Sequence, residues 1–242
     1  MRRPMVEQHV ARNFAELHQV FKRFESDSKW MHRGHRDVSK VLMPKAGRSP
    51  FFHKHQEDFF RAWQRRAVEF VPNPPPDDWE WLAVAQHHGF STKLLDWSGN
   101  PLIACFFAVF RNDGTTDACV HSFKPRYRIR PQPGLSPFNI EPGVWEYRPS
   151  AFSPRISRQL ARFSVHQPAD LDLLHTTEFG ALETTVIPRD YVDGLLTELD
   201  HYGYNAATVF PDLDGLSEHM IWIAGQRDLR QRFLEDDKEL GI

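Results

Sequence analysis

Ten residues, Pro101 to Phe110, constrain this chain more than any others. The run Pro-Leu-Ile-Ala-Cys-Phe-Phe-Ala-Val-Phe is apolar almost all round, and a helix with no polar face has to be covered on every side. It spans about half of the ~20 residues that a bilayer crossing needs. It is therefore expected as the buried centre of a soluble fold. Asn100 is the natural cap and Pro101 suits the first helical position.

Polar side chains crowd the approach to this helix. Gln86, His87, His88, Ser91, Thr92, Lys93, Asp96 and Trp97 lie between it and the end of a preceding helix. So dense a group between two segments built for burial serves either as caps and internal partners or as a site.

The formal charge of -2 gives no global reason for binding nucleic acid or an anionic membrane. The composition, with 40% hydrophobic and 26% charged residues, is that of an ordinary globular chain. Two cysteines, Cys105 and Cys119, are too few for a disulfide framework and fit a reducing, cytoplasmic setting. The N-terminus shows no apolar signal segment, and no membrane association is expected.

Along the chain, Asn13 and Glu16 have capping-box spacing for a helix over 14–25, and a short strand is expected over 29–33, delivering Arg33 at its end. Helices are predicted over 53–70 and 78–88, the second with Asp77 and Glu80 as its box and Gly89 as its left-handed stop. Strands are read at 118–123, 144–147, 162–166, 182–187 and 206–210. Residues 155–159 are helical or extended, and Pro188 starts a helix that runs to 201. Asp212 and Asp214 precede a last helix, and 228–238 is a charged, solvent-facing end. Six prolines between Lys124 and Ser153 point to a long functional or mobile surface loop. Helices and strands mix without a βαβ rhythm. The expected fold is a single α+β domain over 1–242, with a small, mostly antiparallel or split sheet flanked by helices.

The common catalytic signatures are missing: no GxGxxG, phosphate loop, HExxH, paired CxxC or GxSxG. What remains are scattered candidates. Arg33 followed by Gly34 can present a donor fork to a phosphate or carboxylate, the glycine allowing close approach, or it can be a surface arginine with a carboxylate partner. Gln86 and His87 end a helix, where the dipole alone favours histidine. Metal-binding versions using His87, His88 and Asp96, or His53 and His55, are weak because adjacent helical histidines point apart; no metal is assigned. Ser91 and Thr92 can bind ligand hydroxyls or satisfy their own turn, and Asp96 can cap amides or pin a histidine. Arg155, Arg158, Gln159, Arg162 and His166 form either an anion-binding rim or a solvated basic edge. Among the glutamates, Glu178, Glu183 and Glu218 have no distinguishing context.

Together these residues resemble the FRG domain family, named for an aromatic-Arg-Gly motif. Here the motif is His32-Arg33-Gly34, with histidine in the aromatic position. The strongest likeness is Gln86-His87-His88-Gly89-Phe90-Ser91-Thr92-Lys93-Leu94-Leu95-Asp96-Trp97, followed by Asn100-Pro101-Leu102 and Phe106-Phe107-Ala108. His88 stands where tyrosine or phenylalanine is usual. Arg158-Gln159 with Phe163-Ser164, and Val209 to Leu216, are similar to later motifs, so the resemblance spans about residues 14–220.

A weaker resemblance is to ADP-ribosyltransferases, and it implies an NAD-dependent transferase of the glycosyltransferase type, with NAD as substrate. In that reading Arg33, Thr92, Gln159 and Glu183 are catalytic, and Arg33, Gly34, Gln86, His87, Ser91, Thr92, Asp96, Arg158 and Phe163 bind the cofactor. The acceptor would be a macromolecule, nucleic acid or protein. The setting implied is a toxin or phage-defence (antiviral defense) effector, working with an antitoxin or defence-system partner. The alternative is a non-catalytic module that holds a nucleotide or nucleic acid in the same cleft.

Overall fold

The computed structural model describes residues 6–51 and 55–226. The expected start of the second helix at His53 and the charged segment 228–238 lie outside the described residues.

One eight-stranded mixed sheet organises the molecule. The strands are β1 (Glu7–Val10), β2 (Met31–His35), β3 (Leu94–Ser98), β4 (Ala118–Pro125), β5 (Tyr127–Arg128), β6 (Gly143–Tyr147), β7 (Ala161–Gln167) and β8 (Gly180–Ile187). Their order is β1-β8-β4-β2-β3-β7-β6-β5. The pairs β1–β8 and β5–β6 at the two edges are parallel, and every other pairing is antiparallel. The α+β class agrees with expectation, but the sheet is larger than expected and continuous. Its middle is the thin part, because β2 meets β3 in register only at His32 opposite Ser98. Each flanking group of four strands is laddered more fully.

Helices cover one face of the sheet in two groups. Helices α1 (Phe14–Lys22), α4 (Pro101–Val109), α6 (Val192–His201) and α7 (Ala206–Val209) share a core with Val120 and Ile187. Helices α2 (Gln56–Ala67) and α3 (Asp78–His87) share a second core with Leu94, Phe163 and Val165. Irregular segments carrying Leu42 and Leu173 cover the other face, packing on Met31, Leu95, Trp97 and Phe123. The short helix α5 (Pro154–Arg158) and the terminal α8 (Leu213–Gly225) complete the set.

Local capping chemistry explains most helix starts. Asn13 Oδ1 accepts from Glu16 N, Asp77 Oδ1 from Glu80 N, and Asp212 Oδ1 from Gly215 N, at 2.9, 2.9 and 2.8 Å. Asn100 Oδ1 takes Leu102 N at 2.8 Å, and Pro101 opens α4 as expected. Inside α4, Ile103, Ala104, Cys105, Phe106, Ala108 and Val109 are buried. Gly89 stops α3 in the left-handed region at φ 79°.

Three expectations need correction. Residues 206–210 are not a strand: Asn205 and Thr208 form a reciprocal capping box that starts the short helix α7. One strong cap outweighs the β preference of Thr208 and Val209. The polar passage 91–97 contains a central strand, β3, that was hidden because Leu94 and Leu95 read as an approach to the buried helix. The N-terminal strand β1 also went unseen, its residues being mostly exposed.

The proline-rich segment 124–153 is docked rather than loose. Trp79 Nε1 donates to Leu135 O at 2.7 Å, and Lys93 Nζ to Pro137 O at 3.2 Å. Phe138 packs on Phe60 at 5.1 Å between ring centres. The carboxylate of Glu80, free of its own cap, accepts from Ser150 N and Ser150 Oγ at 2.9 and 2.7 Å.

Candidate functional site

A cleft of about 600 Å3 opens where β2 and β3 part, between the two helix groups. Strand β2 supplies Arg33, and β3 supplies Asp96. The end of α3 supplies Gln86 and His87, and α5 with its following residue supplies Arg155 and Gln159. Trp97, Phe107 and Phe163 contribute aromatic rings to its wall, of which Trp97 and Phe163 are buried.

Arg33 is the bridge across the gap. Extending the register beyond His32–Ser98 would set Gly34 opposite Asp96. There the Arg33 side chain makes the crossing instead, its Nη1 donating to Asp96 O at 2.8 Å and lying 3.6 Å from Asp96 Oδ2. Its Nε donates to His35 Nε2 at 3.0 Å. Burial pulls the Arg33 guanidinium below its ordinary pKa, and Asp96 acts in the opposite sense.

The motif residues of the 86–97 block are wired in series. Leu94 N donates to Thr92 Oγ1 at 3.1 Å, and Thr92 Oγ1 donates to Gln86 Oε1 at 2.5 Å. Gln86 Nε2 then donates to Asp96 Oδ2 at 2.8 Å. Thr92 is buried behind the cleft wall and orients the amide that reaches the carboxylate. Asp96 itself is half exposed, with its side chain at 54%.

The cleft is cationic. Arg33, Arg36, Lys40, Arg48 and Arg155 line it against the two carboxylates Asp37 and Asp96. Arg48 is held by Nε and Nη2 bonds to Met43 O at 3.0 and 2.6 Å. Arg155 lies over the Phe210 ring at 4.7 Å. Burial, with His88 and Arg155 nearby, lowers the pKa of His87.

Of the residues expected to act, Arg33, Gly34, Gln86, His87, Asp96, Gln159 and Phe163 line the cleft. Thr92 and Ser91 do not line it; Ser91 Oγ is buried with no hydrogen-bond partner among the described residues. Arg158 is exposed and outside the wall, its place taken by Arg155. Glu183 sits on β8, near the far edge of the sheet, where Oε2 bonds His9 Nε2 at 3.1 Å. Gln159 Nε2 is tied to Val209 O at 3.1 Å, which joins the two later motif segments. Of the expected basic rim, Arg162 donates to Ser28 O at 2.8 Å and buried His166 bonds Leu171 O at 2.8 Å.

Gly34 has a packing role that its sequence does not show. A Cβ there would lie 2.0 Å from Ala104 O and 2.5 Å from Ala108 N. It lets α4 lie directly on β2, so helix packing by itself requires the glycine. His32 keeps its aromatic role. Its ring meets Phe21 and Phe24 at 6.0 and 5.5 Å, while Nδ1 lies 2.9 Å from Ser122 Oγ.

Sequence reasoning missed Arg36, Lys40 and Arg48, which lie in the irregular passage after β2. Their clustered charge, with Arg36, Lys40, Lys45 and Arg48 making four cations in the thirteen residues 36–48, was the available signal. His87, His88 and Asp96 do not form a three-ligand cluster; among the described residues, the groups able to hold a metal are His35 with Cys119 and His121, and Glu7 with His9 and Glu183.

The FRG domain family model matches residues 28–117. That span holds β2, the 86–97 block and α4, and therefore both walls of the gap that Arg33 bridges. No curated protein and no solved structure matches the chain. Among the described residues, no helix is long and apolar enough to cross a membrane.

Proposed function

We propose that the cleft binds a phosphate-bearing nucleotide, with NAD as the leading ligand, and that the protein is an ADP-ribosyltransferase-like enzyme. The observation that carries this reading is the facing of Arg33 and Asp96 across a cleft lined by five cations. Arg36, Lys40 and Arg48 are the groups for a pyrophosphate. Phe107, partly buried at the cleft wall, offers a flat seat for a base or nicotinamide. In the transfer step the bond between nicotinamide and ribose C1′ breaks, nicotinamide leaves with the electron pair, and an acceptor attacks C1′. The acceptor's proton passes to Asp96, the carboxylate nearest Arg33. The acceptor class, the toxin or defence setting and any antitoxin partner belong to this proposal on the strength of the family resemblance alone.

A binding module without turnover is the second reading, and the location of Glu183 and Thr92 outside the cleft favours it. Incubation with labelled NAD and cell extract separates the two. Nicotinamide release with label transfer, lost in Asp96→Asn, supports the transferase. Thermal stabilisation by NAD and ADP with no release supports the module. Absence of both stabilisation and release eliminates the nucleotide reading.

A further inference from the structure

On the sheet face away from the helices, β2 and β4 bring three soft ligand side chains together. The register sets His35 opposite Cys119, and His121 follows two residues along β4 on the same face. Cys119 Sγ and one ring nitrogen from each histidine lie within 4.8 Å of one another, and all three residues are buried. Cys119 Sγ is 3.4 Å from His121 Nε2. The other nitrogen of that ring, Nδ1, lies 2.9 Å from Thr184 Oγ1, a contact that fixes the ring and leaves Nε2 toward the sulfur. His35 Nδ1 is buried with no hydrogen-bond partner among the described residues, while its Nε2 accepts from Arg33.

We propose that His35, Cys119 and His121 bind a thiophilic divalent metal ion of the zinc class, and that binding releases Arg33 from His35. One thiolate and two imidazoles match a tetrahedral site with its fourth position left for water. The Cys119 thiol loses its proton to solvent on binding, so the site gains one net positive charge. Asp37, the carboxylate that acts on Cys119, offsets part of that charge. Arg33 opposes it.

The coupling to Arg33 follows whichever His35 nitrogen takes the metal. Binding through Nε2 uses the lone pair that now accepts the Arg33 N–H. Binding through Nδ1 moves the ring proton to Nε2, where it would face the Arg33 N–H donor to donor. In both cases the Arg33–His35 bond is lost, and the guanidinium is left with its Asp96 contacts at the cleft. Metal occupancy and cleft ligand affinity are then linked, each altering the other.

Cobalt(II) titration of the full chain tests this through the thiolate-to-cobalt charge-transfer band. One ion per chain is expected, with the band lost in Cys119→Ser and kept in Cys105→Ser. Removing the opposing charge with Arg33→Gln, whose amide can also turn its oxygen toward the ring, is expected to tighten cobalt binding roughly tenfold. No band, or a band that survives in Cys119→Ser, overturns the site. Unchanged affinity in Arg33→Gln overturns the coupling. Where Cys119→Ser does not fold, His121→Asn takes its place and is expected to weaken cobalt binding at least as strongly, an unweakened site counting against the assignment.

Discussion

Thr92 donates its hydroxyl proton to Gln86 Oε1 at 2.5 Å, and that bond decides which way the Gln86 amide faces. With Oε1 engaged, Nε2 is the end that meets Asp96, at 2.8 Å. Thr92→Val keeps the shape and removes the hydroxyl, so the buried Leu94 N–H loses its acceptor and the half-buried Gln86 Oε1 its donor, at a cost of about 1–3 kcal/mol. The expected result is a lower melting temperature together with weaker nucleotide binding. Thr92→Ser is expected to restore both, and a valine variant that binds normally would separate Thr92 from the site.

The two readings of Gly34 make opposite predictions. Because a Cβ would meet Ala104 O at 2.0 Å, Gly34→Ala has to push α4 off β2. Strand and helix cannot part locally without opening the core, so the expected loss is at least about 3 kcal/mol. Chemical denaturation measures it. A variant of native stability with impaired binding would return the glycine to a ligand role.

Four buried histidines give the fold a pH dependence. Burial is the first cause that lowers His32 to about 3, His35 to about 2, His121 to about 3 and His166 to about 4. Each is neutral when folded and titrates near 6.5 when unfolded. Below 6.5 the unfolded chain therefore binds more protons, and stability falls as pH drops toward the folded-state values. The full contribution is present above about 6.5. Each histidine steepens the loss by up to about 1.4 kcal/mol per pH unit. Urea midpoints should hold from pH 7.5 to about 6.5 and fall from there to pH 5, whereas a flat profile throughout would show that these rings accept protons in place.

Glu183 and Asp96 can be separated by activity. Glu183→Gln alters a contact with His9 far from the cleft, so nucleotide binding and any nicotinamide release are expected to be unchanged. Asp96→Asn removes a carboxylate beside Arg33 and is expected to abolish release while binding persists. Equal effects from the two variants would contradict this division.

Phe106 is fully buried in α4, with its ring stacked on Phe110 at 4.7 Å. Phe106→Ala is expected to cost about 3–5 kcal/mol. Calorimetry would show this as a large drop in melting temperature, and a small drop would mean that the core collapses around the gap.

Much of the fold was legible where one local signal dominated. Asn100-Pro101, Asp77 and Gly89 mark helix ends by short-range hydrogen bonding and backbone freedom, so neighbours in sequence settle them. Strand β3 was not legible, because the choice between strand and polar turn at Leu94–Ser98 rests on pairing with β7, far along the chain. The site shows the same division. Arg33, Gln86 and Asp96 stand out as a motif, yet only the register of the sheet tells that Thr92 acts through Gln86. Gly34 shows the limit most clearly: a glycine after arginine looks the same in sequence whether a ligand or a helix lies against it.

The single register pair between β2 and β3 leaves the sheet with one backbone tie across its middle. Four strands lie on either side of it, and the next crossing belongs to a side chain. A ligand spanning Arg33 and Asp96 would add its own bonds across that line, so occupancy would be felt as cohesion between the two halves. Amide exchange along β2 and β3 would then slow on binding, even at positions the ligand does not touch.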